Sequence, residues 1–303
     1  MKNYLKEFFK KIELEKEDAD YLLQVYDKIN NDLEMSSIWK EIISLYDKEI
    51  YCDYIKMLSV ADEIANKLYL KEYTTELLMF LCLTKRAEKI YEERGIPQDI
   101  FINTMRDFKY KIEECKLVKG VVGMFVPNWY IGNFLIARFA LGRLQFEVND
   151  FNRNYTKDGK TLTPESKVLG IHIPRSGKPL TKEECDISFD MAKEFFKETI
   201  GDTCAFTCGS WLLYPENEKI LSHDSNVYRF MKRFDIIESK TLKENIELWR
   251  LFDTDEKNPD RLPTNTSMQR AYVEHLKKGG KTGTGFGVFF WWYFLMKSIF
   301  KRW

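Results

Sequence analysis

The stretch KLVKGVVG, residues 116–123, separates two kinds of pattern. Before it, apolar residues recur at helical spacing. Leu22, Tyr26 and Ile29 fall at i, i+4 and i+7, Met57, Ala61, Ile64 and Leu68 follow the same rule, and Phe101, Met105, Phe108 and Ile112 repeat it. ERGIP, residues 93–97, is a helix stop, because Gly95 can take a left-handed conformation and Pro97 cannot continue a helix. Five or six amphipathic helices are expected, their aromatic and Met stripes forming the core. After the stretch, the segments GRLQFEV, KVLGIHI, CAFTCGSWLL, RFDIIES, NIELWRLF and GTGFGVFFW are short and rich in β-branched and aromatic residues. Thr181 with Glu184 and Thr266 with Gln269 have capping-box spacing and mark two helices among them. The expected fold class is α+β, with a helical domain over 1–118 joined directly to a mixed α/β sheet domain over 119–303.

Composition narrows the function classes. Lys plus Arg and Asp plus Glu are both 47, so no basic field points to nucleic acid. Aromatics at 15% suit a packed globular chain and exclude a disordered one. The six cysteines are scattered with no CxxC, in a chain too long to need staples, which points to a reduced, cytoplasmic setting. The N-terminus, MKNYLKEFFKKIELEKED, has no apolar core of a secretory signal. Near the end, Val288 to Met296 is apolar without interruption, about half the ~20 residues that a spanning helix needs. No transmembrane segment is expected; a core strand with a short basic tail is the first reading, and contact of that tail with a membrane surface the second.

Strand parity brings polar residues together, since alternate side chains point to opposite faces. Gln145 and Glu147 lie opposite Leu144, Phe146 and Val148; His172 lies opposite Leu169, Ile171 and Ile173; Phe206, Cys208, Ser210 and Leu212 fall on one face. If these strands are neighbours, Glu147, His172, Cys208 and Ser210 line one partly polar strip. Each residue also has a structural reading: a hydrogen-bonded core histidine, a buried thiol, a salt-bridged carboxylate, a serine bonded to backbone. No metal is expected, because Cys204, Cys208 and one distant histidine make a poor ligand set and no HExxH occurs. KKGGKTGTGFG, residues 277–287, is a glycine-dense join from helix to strand that either admits a phosphate to the backbone or serves a helix end and a strand entry.

Four blocks in order resemble a family of bacterial acyltransferase domain-containing proteins that have a helical N-terminal domain and a C-terminal domain similar to the GNAT acyltransferases. They are LGRLQFE at 141–147, LGIHIPRSGKPLTKEECDISFDMAKEFF at 169–196, CGSWLLYPENEKILSHDSNVYRFMKRF at 208–234 and LPTNTSMQRAYVEHLKKGGKTGTGFG at 262–287. The chain carries no clear version of the [QR]xxGx[GA] loop that typical GNAT enzymes use for the acyl-CoA pyrophosphate, and its tail is more apolar than the family pattern.

The resemblance implies transfer of an acyl group from acyl-CoA to a small-molecule amine. Such chemistry needs a base for the amine and a proton for the leaving thiolate. Glu147 or His172 is the expected base, and Cys208 or Ser210 the expected proton donor or nucleophile. Ser225 and Asn226, at a helix start, and Gly283 and Gly285, in the glycine-dense join, are the expected anion-binding positions for the cofactor. Two rivals are a binding protein that keeps the fold without the chemistry, and a hydrolase built on Cys208 and His172.

Overall fold

The computed structural model describes residues 1–201, 204–243 and 247–291. Seven helices fill Lys2 to Lys119. The stripe from Phe101 to Ile112 belongs to two of them, Gln98–Met105 and Asp107–Lys119, broken at Arg106. Their apolar sides carry on the same face, so periodicity alone does not show the break. Gly95, with φ +66, ends the helix Thr74–Glu93 as its sequence suggests. A further short helical segment, Pro127–Phe134, precedes the sheet.

Among the described residues eight strands follow: β1 Arg138–Leu141, β2 Leu144–Asp150, β3 Tyr155–Lys157, β4 Lys160–Leu162, β5 Lys167–His172, β6 Ala205–Ser210, β7 Asp235–Thr241 and β8 Gly283–Phe290. Six form one sheet in the order β1-β2-β5-β6-β8-β7, antiparallel except for the parallel pair β5 and β6. The helix Lys182–Phe195 supplies that crossover. β3 and β4 form a separate hairpin whose Asp158 and Gly159 both have positive φ, the turn that an Asp-Gly pair favours.

Two expected strands are corrected. Trp211–Leu213 leaves β6 as a 3₁₀ turn. Trp249–Phe252 is a helix, because Leu248, Leu251 and Phe252 bury one side of it at helical spacing; residues 245 and 246 of that segment lie outside the described residues. Of the two expected capping boxes, only Thr266 with Gln269 closes both hydrogen bonds, while Thr181 caps its helix through Glu184 N–H alone.

One hydrophobic core runs from the helices into the sheet. Tyr91 meets Phe139 of β1 at 5.7 Å, and Thr104 Oγ1 accepts from the Ala140 N–H at 2.9 Å. On one sheet face Phe146 and Phe206 pack on Phe189 of the crossover helix, at 6.2 and 4.9 Å. The other face is covered at one end by the β3–β4 hairpin, through Phe151, Leu162, Val168, Ala205 and Val288. Its other end carries the polar residues described next. The expected tail beyond Trp291 lies outside the described residues, and among those described no helix is long and apolar enough to cross a membrane.

Candidate active site

Hairpin register builds the centre of the site. Gly142 and Arg143 form the two-residue turn between β1 and β2, with Leu141 facing Leu144. Gly142 has φ +71, and a Cβ there would stand 2.6 Å from Ser188 Oγ, so the turn requires glycine. Counting outward, Arg138 comes to face Glu147. Pairing of β2 with β5 then sets Glu147 opposite Gly170 and Gln145 opposite His172. Facing residues point to the same side, so Arg138, Gln145, Glu147 and His172 share one face.

Their contacts are close. Arg138 donates from Nε and Nη2 to Glu147 Oε2, at 3.0 and 2.8 Å, and from Nη1 to the Trp129 carbonyl at 2.8 Å. Its guanidinium lies 4.4 Å from the centre of the Trp129 ring. His172 Nε2 lies 2.9 Å from Glu147 Oε1. Beyond this ion-pair contact Nε2 has no hydrogen-bond partner among the described residues. The Trp129 ring meets the imidazole at 4.7 Å and 90°.

Electrostatics assign the charges. Burial raises the Glu147 carboxyl, but His172 and Arg138 outweigh it and hold the group at about 2. Burial pushes His172 below its ordinary value; Glu147 opposes this and Arg138 reinforces it. At neutral pH a carboxylate therefore faces a neutral imidazole. With the imidazole proton on Nε2, toward the carboxylate, the Nδ1 lone pair can accept a proton. Glu147 is too weak a base at about 2 to take that part itself.

Cys208 and Ser210 do not join this pair. Gly170 faces Thr207, so Thr207 lies on the Glu147 side and Cys208 and Ser210 point the other way. Cys208 is 2% exposed in the core, and burial pushes its thiol up to about 12. Ser210 Oγ accepts from the Leu212 N–H at 3.2 Å and starts the 3₁₀ turn. The single strip and the Cys208–His172 hydrolase are both corrected: parity was right within each strand, and the register between β5 and β6 reverses the faces.

The expected anion positions serve local structure. Ser225 Oγ accepts from the Tyr228 N–H and caps the short helix Asn226–Met231, with Asn226 its first residue. A Cβ on Gly283 would lie 2.3 Å from the Tyr214 ring, and one on Gly285 2.1 Å from the Leu213 carbonyl oxygen. Those glycines admit the 211–214 turn against β8, which leaves no cradle. Among the described residues no three His, Cys, Asp or Glu are grouped to hold a metal ion.

Sequence reasoning missed Arg138 and Trp129. The Gly142–Arg143 turn flanked by two leucines gives the Arg138–Glu147 pairing by counting, whereas Trp129 sits in an aperiodic turn with no such signal. A second missed feature is the gap beside His172. β5 and β6 pair only at Leu169–Phe206 and Gly170–Thr207, although β5 runs on to His172 and β6 to Ser210. Beyond the gap, the loop 174–181 is held by Arg143, which donates to the Pro174 and Lys178 carbonyls at 2.9 and 3.1 Å, and by an ion pair from Arg175 to Asp253.

A mixed sheet with one parallel pair that opens beside a histidine invites comparison with known proteins. Residues 3–135 match the model of an N-acyltransferase N-terminal domain, and residues 138–289 match that of a GNAT-like C-terminal domain. The chain belongs to the GNAT-like N-acyltransferase family. Solved structures share this fold. An acyltransferase mutant in complex with octanoyl-CoA superposes with TM-score 0.74 at 20% identity, covering 95% of this chain and 88% of that one. An acyltransferase in complex with decanoyl-CoA and teicoplanin gives 0.71 at 22% identity, covering 94% and 87%. No curated protein matches. In this GNAT-like N-acyltransferase the loop 174–181 joins β5 to the helix Lys182–Phe195.

Proposed function

We propose that this protein transfers an acyl group from a CoA thioester to a small-molecule amine, with His172 as general base. The observation that carries the reading is the neutral, carboxylate-held imidazole at the open end of the β5–β6 pair. Family membership and the acyl-CoA complexes of its structural neighbours support it. An acyl-CoA arm entering that gap finds backbone N–H and C=O groups without strand partners, which its amides can bond as a further strand would. Its phosphates then reach the loop 174–181, where Gly177 has φ +70 and open space around its missing Cβ.

The acceptor amine loses its ammonium proton to solvent, and His172 Nδ1 takes a further proton from the free amine nitrogen as that nitrogen attacks. The amine nitrogen attacks the thioester carbonyl, the new C–N bond forms, and the C–S bond breaks. The imidazolium returns its proton to the departing thiolate, so His172 ends neutral. Glu147 holds the ring and stabilises its cation throughout.

Calorimetry with acetyl-CoA and octanoyl-CoA, followed by thiol release with a panel of amines, tests this. The wild type is expected to bind at least one thioester. His172→Gln is expected to bind it equally well while kcat falls by roughly 10²–10⁴. No heat with either thioester at millimolar concentration would replace the enzyme with the binding-protein reading.

A further inference from the structure

We propose that Arg138, clamped by Trp129, is a positioning residue for the Glu147–His172 pair, so that the helical half of the chain is a working part of the active site. The proposal rests on the reading of His172 as base. Arg138 is 7% exposed, and its fork is fully committed. Two donors converge on Glu147 Oε2, which turns the other oxygen, Oε1, to the imidazole. The third reaches the carbonyl of Trp129. The indole lies against the guanidinium on one side and meets the imidazole at a right angle. Cation, carboxylate, indole and imidazole thus form one contiguous cluster in which the imidazole is held between Glu147 and the indole.

Two of the constraints come from the helical half. Trp129 stands in the segment that ends it, anchored where the Tyr130 hydroxyl donates to Asp107 Oδ2 at 3.2 Å. The charged groups that bear on His172 are Glu147 from β2, Arg138 from β1 and Asp107 from the helix Asp107–Lys119. Lysine is a poor substitute at position 138, since a single ammonium cannot hold both Glu147 and the Trp129 carbonyl in a planar fork.

The test uses the full chain and the titration of His172, one of only three histidines, followed by side-chain NMR. In Arg138→Gln a neighbouring positive charge is lost while Glu147 stays, so the His172 midpoint should rise. Arg138→Lys keeps the charge, and the midpoint should stay below the ordinary value. In both variants kcat should fall about 100-fold, from misplacement of the base, with KM for acyl-CoA little changed. An unmoved midpoint in Arg138→Gln, or full kcat in Arg138→Lys, overturns the proposal. Should Arg138→Gln not fold, the Lys variant decides alone. The NMR readout needs no turnover, so failure of acyl transfer and failure of the clamp are told apart.

Discussion

Acid should undo the Arg138–Glu147 pair in a way that can be measured. The Glu147 carboxyl moves from an ordinary 4.5 to about 2 in the folded protein. Its folded value is depressed, so its stabilisation is complete above the unfolded value and is lost as pH falls from about 4.5 toward about 2. At full strength the shift corresponds to about 3 kcal/mol. The side chain is 20% exposed, and solvent screening reduces this to about 2 kcal/mol. Removing Glu147 alone would strand a buried guanidinium at a cost of about 3–5 kcal/mol and confuse the reading. The comparison is therefore wild type against the double variant Arg138→Met, Glu147→Gln, which leaves no orphan charge. Urea unfolding at a series of pH values should show the wild type losing about 1 kcal/mol more than the double variant between about pH 6 and about pH 3, the rest being lost below that. His172 is present in both and loses one neighbour of each sign. Parallel pH profiles for the two proteins would refute the assignment of a deeply depressed Glu147.

Cys208→Ala should leave thiol release from acyl-CoA unchanged, because the thiol faces away from His172, and should cost about 1 kcal/mol in urea unfolding from the small cavity it leaves. Gly285→Ala places a Cβ 2.1 Å from the Leu213 carbonyl oxygen. It should lower stability by about 1–3 kcal/mol and leave the acyl-CoA Kd of the folded protein unchanged; a weakened Kd with unchanged stability would restore that glycine to the cofactor site.

Much of the fold is written locally. The helical stripes need only their own spacing, and Leu22, Met57, Phe101 and Ile112 are fully buried as that spacing requires. The stop at Gly95, the cap at Ser225 and the box at Thr266 with Gln269 depend on neighbours within one turn of chain. The strands β2 and β5 and the faces of Glu147 and His172 also follow from alternation within each strand. The missed hairpin at Asp158–Gly159 and the turn at Gly142–Arg143 were legible by the same local rules.

What tertiary structure decided is everything that relates one strand to another. Parity is a property of a single strand, set by the backbone pleat. Register is a property of two strands, set by turns and by long-range packing that local patterns do not encode. A shift of one residue turns every side chain of a strand to the opposite face. Thus Glu147 and His172 meet through the β2–β5 pairing, while Gly170 facing Thr207 turns Cys208 and Ser210 to the opposite face, Cys208 into the core and Ser210 to the start of the 3₁₀ turn. Trp129 reaches His172 only because the helical half docks on the sheet, a contact between residues 43 positions apart that no periodicity within either segment could contain.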